Sequence, residues 1–185
     1  CYTSGSPHNE GDGVAMALSV GADLWHMNNY AGLSLSLKVP DYPTTFSMQA
    51  LHFSKVTDGG MIVVGADGRR FTDEKYKNRH GKIPVHGVWK PIPTPCPLYM
   101  VIDQTLLDAG PLYDKTPRYG WSQMVVGYDW SDDNRAEVDR GWVKTADSVS
   151  ALAAEIGLPP AVLVENVERW NRACAAGVDP EFGRN

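Results

Sequence analysis

Two stretches of this 185-residue chain bring together residue types that could do chemistry. In the first, Gly11-Asp12-Gly13 opens a run of small and apolar residues. Two glycines let a backbone approach a ligand closely, the N–H groups of a helix start favour an anion, and Asp12 can accept from hydroxyls or amides. The same residues also suit a plain helix cap, where Asp is favoured. The second stretch, RRFTDEKYKNRHGK from Arg69 to Lys82, sets Arg and Lys side chains beside Asp73, Glu74, Tyr76 and His80. An Arg beside a carboxylate keeps its charge and offers a planar fork of donors that can orient a substrate carboxylate or carbonyl. A solvated charged loop is the ordinary alternative for such a composition.

Other chemistries find less support. His80 and His86 lie six residues apart, and His8, His26 and His52 are isolated, so no pair has the helical spacing of a metal site. No metal is expected, and a metal-dependent hydrolase built on His80 and His86 is the remotest reading. No GxGxxG, P-loop, HExxH or GxSxG pattern occurs. Cys1, Cys96 and Cys174 are too few and too scattered for a disulfide framework and read as free thiols. A net charge of -5, with Lys and Arg dispersed, argues against nucleic acid. No apolar run approaches the roughly 20 residues of a membrane span. Nothing in the residues assigns a compartment.

The elements that must position these residues are partly legible. GVAMALSVGAD, from Gly13 to about Asp23, stripes Val14, Ala17, Leu18 and Gly21 at helical spacing and predicts a thin, closely packing helix. Leu33, Leu35 and Leu37 alternate with serines as in a half-buried strand, which prolines then end in a crossing loop. Asp67-Gly68 between Met61–Val64 and a run ending at Phe71 predicts a β-hairpin. The proline-rich stretch that follows predicts an irregular segment, and LYMVID then QTLLDAG a buried strand and a short helix closed by Gly110. Between residues 111 and 144, Tyr113, Tyr119, Trp121, Tyr128, Trp130 and Trp142 follow no regular period, so aromatic packing must hold that region; lining a pocket is the less common use. At the C-terminal end, TADSVSALAAEIG and LPPAVLVENVERWNRACAAG predict a helix pair, the second with a stripe of Leu163, Val167, Trp170 and Cys174.

Taken in order, GDGVAMALSVGADLWHM, GGMIVVGADGRRFTDE and LAAEIGLPPAVLVENVERWNRACAAGVDPEFGR resemble the FAD-dependent fumarate reductase and 3-oxosteroid dehydrogenase family, the FAD-binding-2 flavoproteins. The family pattern is TGDG-x-x-x-A, then G-x-R-F-x-N-E, then a helix pair ending in YN-x-x-x-x-x-G-x-D-x-x-F-x-R. The resemblance implies a Rossmann-like FAD domain split by an inserted α+β capping domain that closes over the flavin. Residues 1–27 would end the first FAD-domain segment and 28–185 would form the capping domain, with the hairpin, the proline-rich segment and the helix pair. The rest of the FAD domain, carrying the glycine-rich dinucleotide motif, would lie in a longer parent, so this segment alone is expected to bind FAD weakly and to have no turnover.

The resemblance also implies roles. Gly11, Asp12 and Gly13 match the FAD-contacting turn, with Glu10 standing where the family has Thr. In fumarate reductases an Arg four residues after the Glu of the second pattern delivers a proton. Here Asn78 is four residues after Glu74 and Arg79 five, so Arg79 is the candidate for proton delivery or substrate orientation. Tyr76 is the nearest equivalent of the steroid dehydrogenases' tyrosine, and His80 a candidate for substrate binding. The His and Thr-Glu pair that hold a dicarboxylate have no match between Trp25 and Gly60, beyond the loose possibilities His26 and His52, which tilts the reading toward a bulkier enone or unsaturated acid. Two readings follow. One is an FAD-dependent oxidoreductase acting on a carbon–carbon bond beside a carbonyl or carboxyl, with an electron-donor protein or domain as partner. The other is a redox-inactive small-molecule binding module derived from such a capping domain.

Overall fold

The computed structural model describes residues 8–25, 36–42, 45–47, 60–74, 82–91, 97–113 and 128–184. It is a mixed helix and sheet structure that divides into two compact units. One comprises Cys1–Gln49, Asn78–Pro91 and Lys115–Asp129; the other Ala50–Lys77, Ile92–Asp114 and Trp130–Asn185. The boundary expected after residue 27 falls outside the described residues.

In the second unit the apolar run Met61–Val64 forms strand β3, which pairs antiparallel with β6 (Tyr99–Ile102), Met61 facing Ile102 and Val64 facing Tyr99. All four residues of β3 are buried, as expected of a strand covered on both faces. Ile62 and Val64, with Tyr99 and Val101 beside them, pack on the C-terminal helices; Met61, with Met100 and Ile102, packs on Leu106 of the short helix α2 (Gln104–Asp108). Asp103 starts α2 by accepting from the Leu106 N–H at 2.7 Å. β6 itself is only half-buried, not the buried strand that its sequence suggests.

Helices α4 (Val149–Glu155) and α5 (Pro160–Ala176) form the expected pair. Ser148 caps α4 by accepting from Ala151 N–H, and Gly157 and Gly177 end the two helices with positive φ of 75° and 66°. The buried stripe of α5 is Leu163, Asn166, Trp170 and Ala173; Val167 is half-buried and Cys174 is exposed. The observed stripe thus departs from the expected one by one position at two places, Asn166 for Val167 and Ala173 for Cys174, the polar Asn166 taking a core place that an apolar count passes over. Between α2 and α4, beside the short helix α3 (Arg135–Asp139), Tyr113 stacks on Trp130 with centroids 6.0 Å apart, and Trp142 meets Trp130 tilted, at 6.3 Å. Asn134 is fully buried there and satisfied: its Oδ1 accepts from Leu112 N–H and Trp130 Nε1–H, and its Nδ2 donates to Leu107 and Gly110 carbonyls. Tyr119 and Trp121 lie outside the described residues.

The Asp67-Gly68 turn forms, with Gly68 at φ 78°, but the return strand does not. A single bridge, Val64 to Arg70, replaces the expected hairpin ladder. Arg70 instead directs its N–H to the Asn166 Oδ1 at 3.3 Å and its side chain inward, so the backbone leaves the sheet at once.

In the first unit, β1 (Ser36–Lys38) pairs antiparallel with β2 (Thr45–Ser47), where a single strand and a crossing loop were expected; Leu33 and Leu35 lie outside the described residues. Lys38 Nζ donates to the Val39 and Tyr42 carbonyls, tying the connection. The proline-rich stretch is also more regular than its composition predicts. Strands β4 (Lys82–Val85) and β5 (Val88–Pro91) form a hairpin about His86-Gly87, whose φ values of 49° and 79° are those of a two-residue turn with both central residues left-handed. Counting outward from the hydrogen-bonded Val85–Val88 pair, Pro84 and Pro91 both occupy non-hydrogen-bonded positions, where a missing N–H costs the ladder nothing.

Helix α1 runs from Asp12 to Ser19. Gly21 does not extend its stripe: at φ 89° it stops the helix, with Gly21 N–H on the Leu18 carbonyl and Ala22 N–H on the Ala17 carbonyl.

Candidate functional site

The charged stretch that begins at Arg69 turns inward at once. Arg70 donates through Nε to Glu74 Oε1 at 2.9 Å and through Nη2 to Glu74 Oε2 at 2.8 Å, a planar two-point pair between residues four apart. The same Nη2 reaches Asp179 Oδ2 at 3.0 Å. Arg184 Nη1 donates to Glu74 Oε2 at 3.1 Å and to the Met61 carbonyl at 2.6 Å. Glu74 Oε1 also accepts from the Val63 N–H of β3 at 3.1 Å. Asp179 closes the group by accepting from the backbone N–H of Glu181, Phe182 and Arg184.

Two cations and two anions thus neutralise each other with every side chain at most 2% exposed. The guanidinium groups of Arg70 and Arg184 both sit over the ring of Trp170 of α5, each 4.4 Å from its centre, and Phe182 lies 5.2 Å from Arg70. Two cations on one indole would repel; the carboxylates between them remove that cost. Burial alone would lower the pKa of Arg70, but the bonds to Glu74 and Asp179 outweigh it and raise it. Burial would raise Asp179, and the Arg70 bond with the Glu181 and Arg184 N–H groups holds it below the ordinary carboxylate range. On the outer edge, exposed Arg169 bridges Glu165 and Glu181.

In the sequence Arg70 and Glu74 read only as members of a charged stretch, and Asp179 and Arg184 carry no role of their own. A signal is present: opposite charges four residues apart, Arg70 and Glu74, soon after an all-apolar run, and opposite charges five apart, Asp179 and Arg184, just after the helix-ending Gly177. Neither position says which charges meet, because the partners are 109 and 110 residues apart.

The second candidate feature is the start of α1. Gly11 stands at φ 93°, no side chain caps the helix, and Asp12 lies in the first turn. A Cβ added at Gly11 or Gly13 would meet nothing within 4 Å, so a ligand can approach this backbone closely. The Val14 and Ala15 N–H groups donate to the Gly11 carbonyl at 2.9 and 3.0 Å, and those of Asp12 and Gly13 precede the first intrahelical bond. Asp12 would repel a phosphate but can accept from a hydroxyl, so the turn fits one edge of a cofactor site that is rich in hydroxyls and amides. No residue of α1 is buried, and Val14, Met16, Leu18 and, beyond the helix end, Val20 and Leu24 are exposed.

Of the other residues singled out from sequence, Tyr76, Arg79 and His80 lie outside the described residues, as do His26 and His52. His86 is described, at the tip of its hairpin turn. Among the described residues no cluster of His, Cys, Asp or Glu could hold a metal, and no helix is long and apolar enough to cross a membrane.

Over residues 1–185 the chain matches the model of the FAD binding domain family. It belongs to that family. FAD is therefore its cofactor, and the chain is a flavoprotein segment of the oxidoreductase type. It is 30% identical over 193 residues to 4-oxocyclohexanecarboxylate 2-dehydrogenase of Sinomonas cyclohexanicum, covering 99% of this chain and 29% of that protein. It is 27% identical over 198 residues to 3-oxosteroid 1-dehydrogenase of Mycobacterium tuberculosis, covering 99% of this chain and 30% of the relative. A local similarity reaches 55% over 40 residues of digoxin reductase from Eggerthella lenta, 22% of this chain and 7% of that protein. The fold is similar to that of 3-ketosteroid delta1-dehydrogenase from Sterolibacterium denitrificans, with a TM-score of 0.63, 21% identity, and coverage of 98% of this chain and 30% of that one. The flavoprotein chain thus spans less than a third of the length of these relatives.

Proposed function

We propose that this chain is the substrate-closing part, with one cofactor-contacting turn, of an FAD-dependent oxidoreductase that makes or removes a carbon–carbon double bond beside a carbonyl or carboxyl group. The observation that carries the reading is that relatives named for such chemistry on oxo compounds align with 99% of the chain. The substrate class this favours is a cyclic ketone or its enone, in keeping with the missing dicarboxylate-gripping residues between Trp25 and Gly60. Residues 1–27 would belong to the flavin domain and 28–185 to the capping domain, with the remainder of the flavin domain and an electron-exchanging protein as partners.

When bound, FAD supplies the hydride donor or acceptor. The chain's own residues then bind, orient and move a proton. Gly11 and Gly13 would leave the backbone open to the cofactor, and the Asp12 carboxylate would accept from its hydroxyl or amide groups. Arg79 orients the substrate carbonyl or carboxylate and holds the proton exchanged with the carbon next to it; Tyr76 is the second candidate for that transfer, and His80 adds a donor to the substrate.

The test uses the flavin-loaded protein that contains this chain. A panel including 4-oxocyclohexanecarboxylate, a 3-oxosteroid and a short unsaturated acid is followed by the flavin absorbance, and a cyclic ketone or enone is expected to react fastest. Arg79→Ala should slow that reaction by about 100-fold or more while leaving flavin reduction by an artificial donor within about threefold, since proton transfer serves only the substrate step. Equal losses in both assays would remove Arg79 from this role, and a flavin that responds to no member of the panel would leave the binding-module reading standing.

A further inference from the structure

The buried ion cluster ends, along the chain, at an informative place. Glu74 stands two and five residues before Tyr76 and Arg79 in the chain. It is also the residue on which the cluster converges, since both of its carboxylate oxygens are taken by Arg70, Arg184 and the Val63 N–H. Those donors differ in origin. Val63 belongs to the core strand, Arg70 to the turn before Glu74, and Arg184 to the tail after α5. The tail is itself fixed by Asp179, which holds Arg70 through Oδ2 and accepts from three backbone N–H groups between Glu181 and Arg184.

We propose that Asp179 and Arg184 are positioning residues for the reaction: through Glu74 they fix the backbone two and five residues before Tyr76 and Arg79. The proposal rests on the reading of Arg79 and Tyr76 given above, and its physical basis is covalent. A side chain's placement inherits the uncertainty of the backbone that leads to it, and reacting groups must be held to a fraction of an ångström. A four-residue ion group reaching from strand to tail is a stiffer mooring than a solvated loop, because moving Glu74 would strand buried charge.

Two variants test this in the flavin-loaded protein. Asp179→Asn keeps the shape and the oxygen that accepts from Glu181 and Phe182, and removes the charge that faces Arg70. Arg184→Lys keeps the charge and removes the planar fork. Each is probed by trypsin, which can cut after Lys75, Lys77 and Arg79 just beyond Glu74 and after Arg169 and Arg172 within α5. Cleavage at the first three bonds should accelerate about tenfold relative to the α5 bonds, as loss of one charged hydrogen bond implies. With a ketone that the wild type turns over, kcat should fall by about tenfold while KM and flavin content change less than threefold. Uniform acceleration at all bonds, or none in a folded variant, overturns the proposal. If Asp179→Asn does not fold, Arg184→Lys decides alone. Should the wild type turn over no ketone, the reading of the reaction fails, and the site-selective proteolysis still decides whether Asp179 and Arg184 hold this point of the chain.

Discussion

The ion cluster around Glu74 and the start of α1 are both built from stretches that carry the family resemblance, yet they are opposite in character. In the cluster, Arg70, Glu74, Asp179 and Arg184 use their donors and acceptors on one another and on backbone, and two of the cations cover an indole. At the start of α1 the helix has no side-chain cap, its glycines face open space, and its apolar residues are exposed. The difference teaches that a charged pattern shared with a family of enzymes is not by that token catalytic. Here one such pattern is spent inside the fold, where it fixes backbone, and the other presents groups outward, where a cofactor can use them.

The comparison can be broken most directly at Arg70. Arg70→Met should cost about 3–5 kcal/mol in a denaturant titration, because Glu74 and Asp179 are left buried without their shared cation. A loss under about 1 kcal/mol would mean that water reaches the cluster and that it is not the closed group described. Leu163→Ala, deep in the same unit, should cost about 2–5 kcal/mol by transfer and cavity terms, and provides the apolar yardstick against which Arg70→Met is read.

A smaller effect concerns acid. Asp179 is held below the ordinary carboxylate value, so the unfolded chain binds its proton at higher pH than the folded one. Its contribution is complete above the unfolded value, near about 4, and is lost as pH falls below that toward the lowered folded value. Thermal unfolding of Asp179→Asn should therefore lack the steepest part of the wild type's decline as pH falls below about 4. Parallel curves would show that other carboxylates govern acid unfolding.

The smallest stability effect is expected at the open end of the comparison. Asp12→Asn should change stability by less than about 0.5 kcal/mol, since it removes no buried partner. In the flavin-loaded protein the same change should weaken retention of FAD. Unchanged flavin content would take Asp12 out of the cofactor site, while a large loss of stability would show that α1 is integral to this chain's own core.

Much of the scaffold was legible because it rests on local signals. Ser148, Asp103, Gly157 and Gly177 start or end helices through bonds made within a few residues, and the apolar run Met61–Val64 needs no partner to declare itself a strand. The His86-Gly87 hairpin was missed because proline content was weighed without the pairing register, which alone shows that Pro84 and Pro91 need no N–H. The Asp67-Gly68 hairpin was overread for the converse reason: the turn is local, but whether the chain stays in the sheet depends on Arg70 finding Asn166, Glu74 and Asp179.

The sequence by itself therefore determined the helix pair, the core strand, the open glycine turn and the resemblance that names FAD, all properties of neighbouring residues or of ordered patterns along the chain. Only the tertiary structure decided that β3 pairs with β6 and that the charges at Arg70, Glu74, Asp179 and Arg184 neutralise one another. Those choices depend on contacts across up to 123 residues, from Arg184 to Met61. The physical reason is desolvation. A lone buried charge is prohibitive and a matched set is tolerable, and only folding brings the matching partners together.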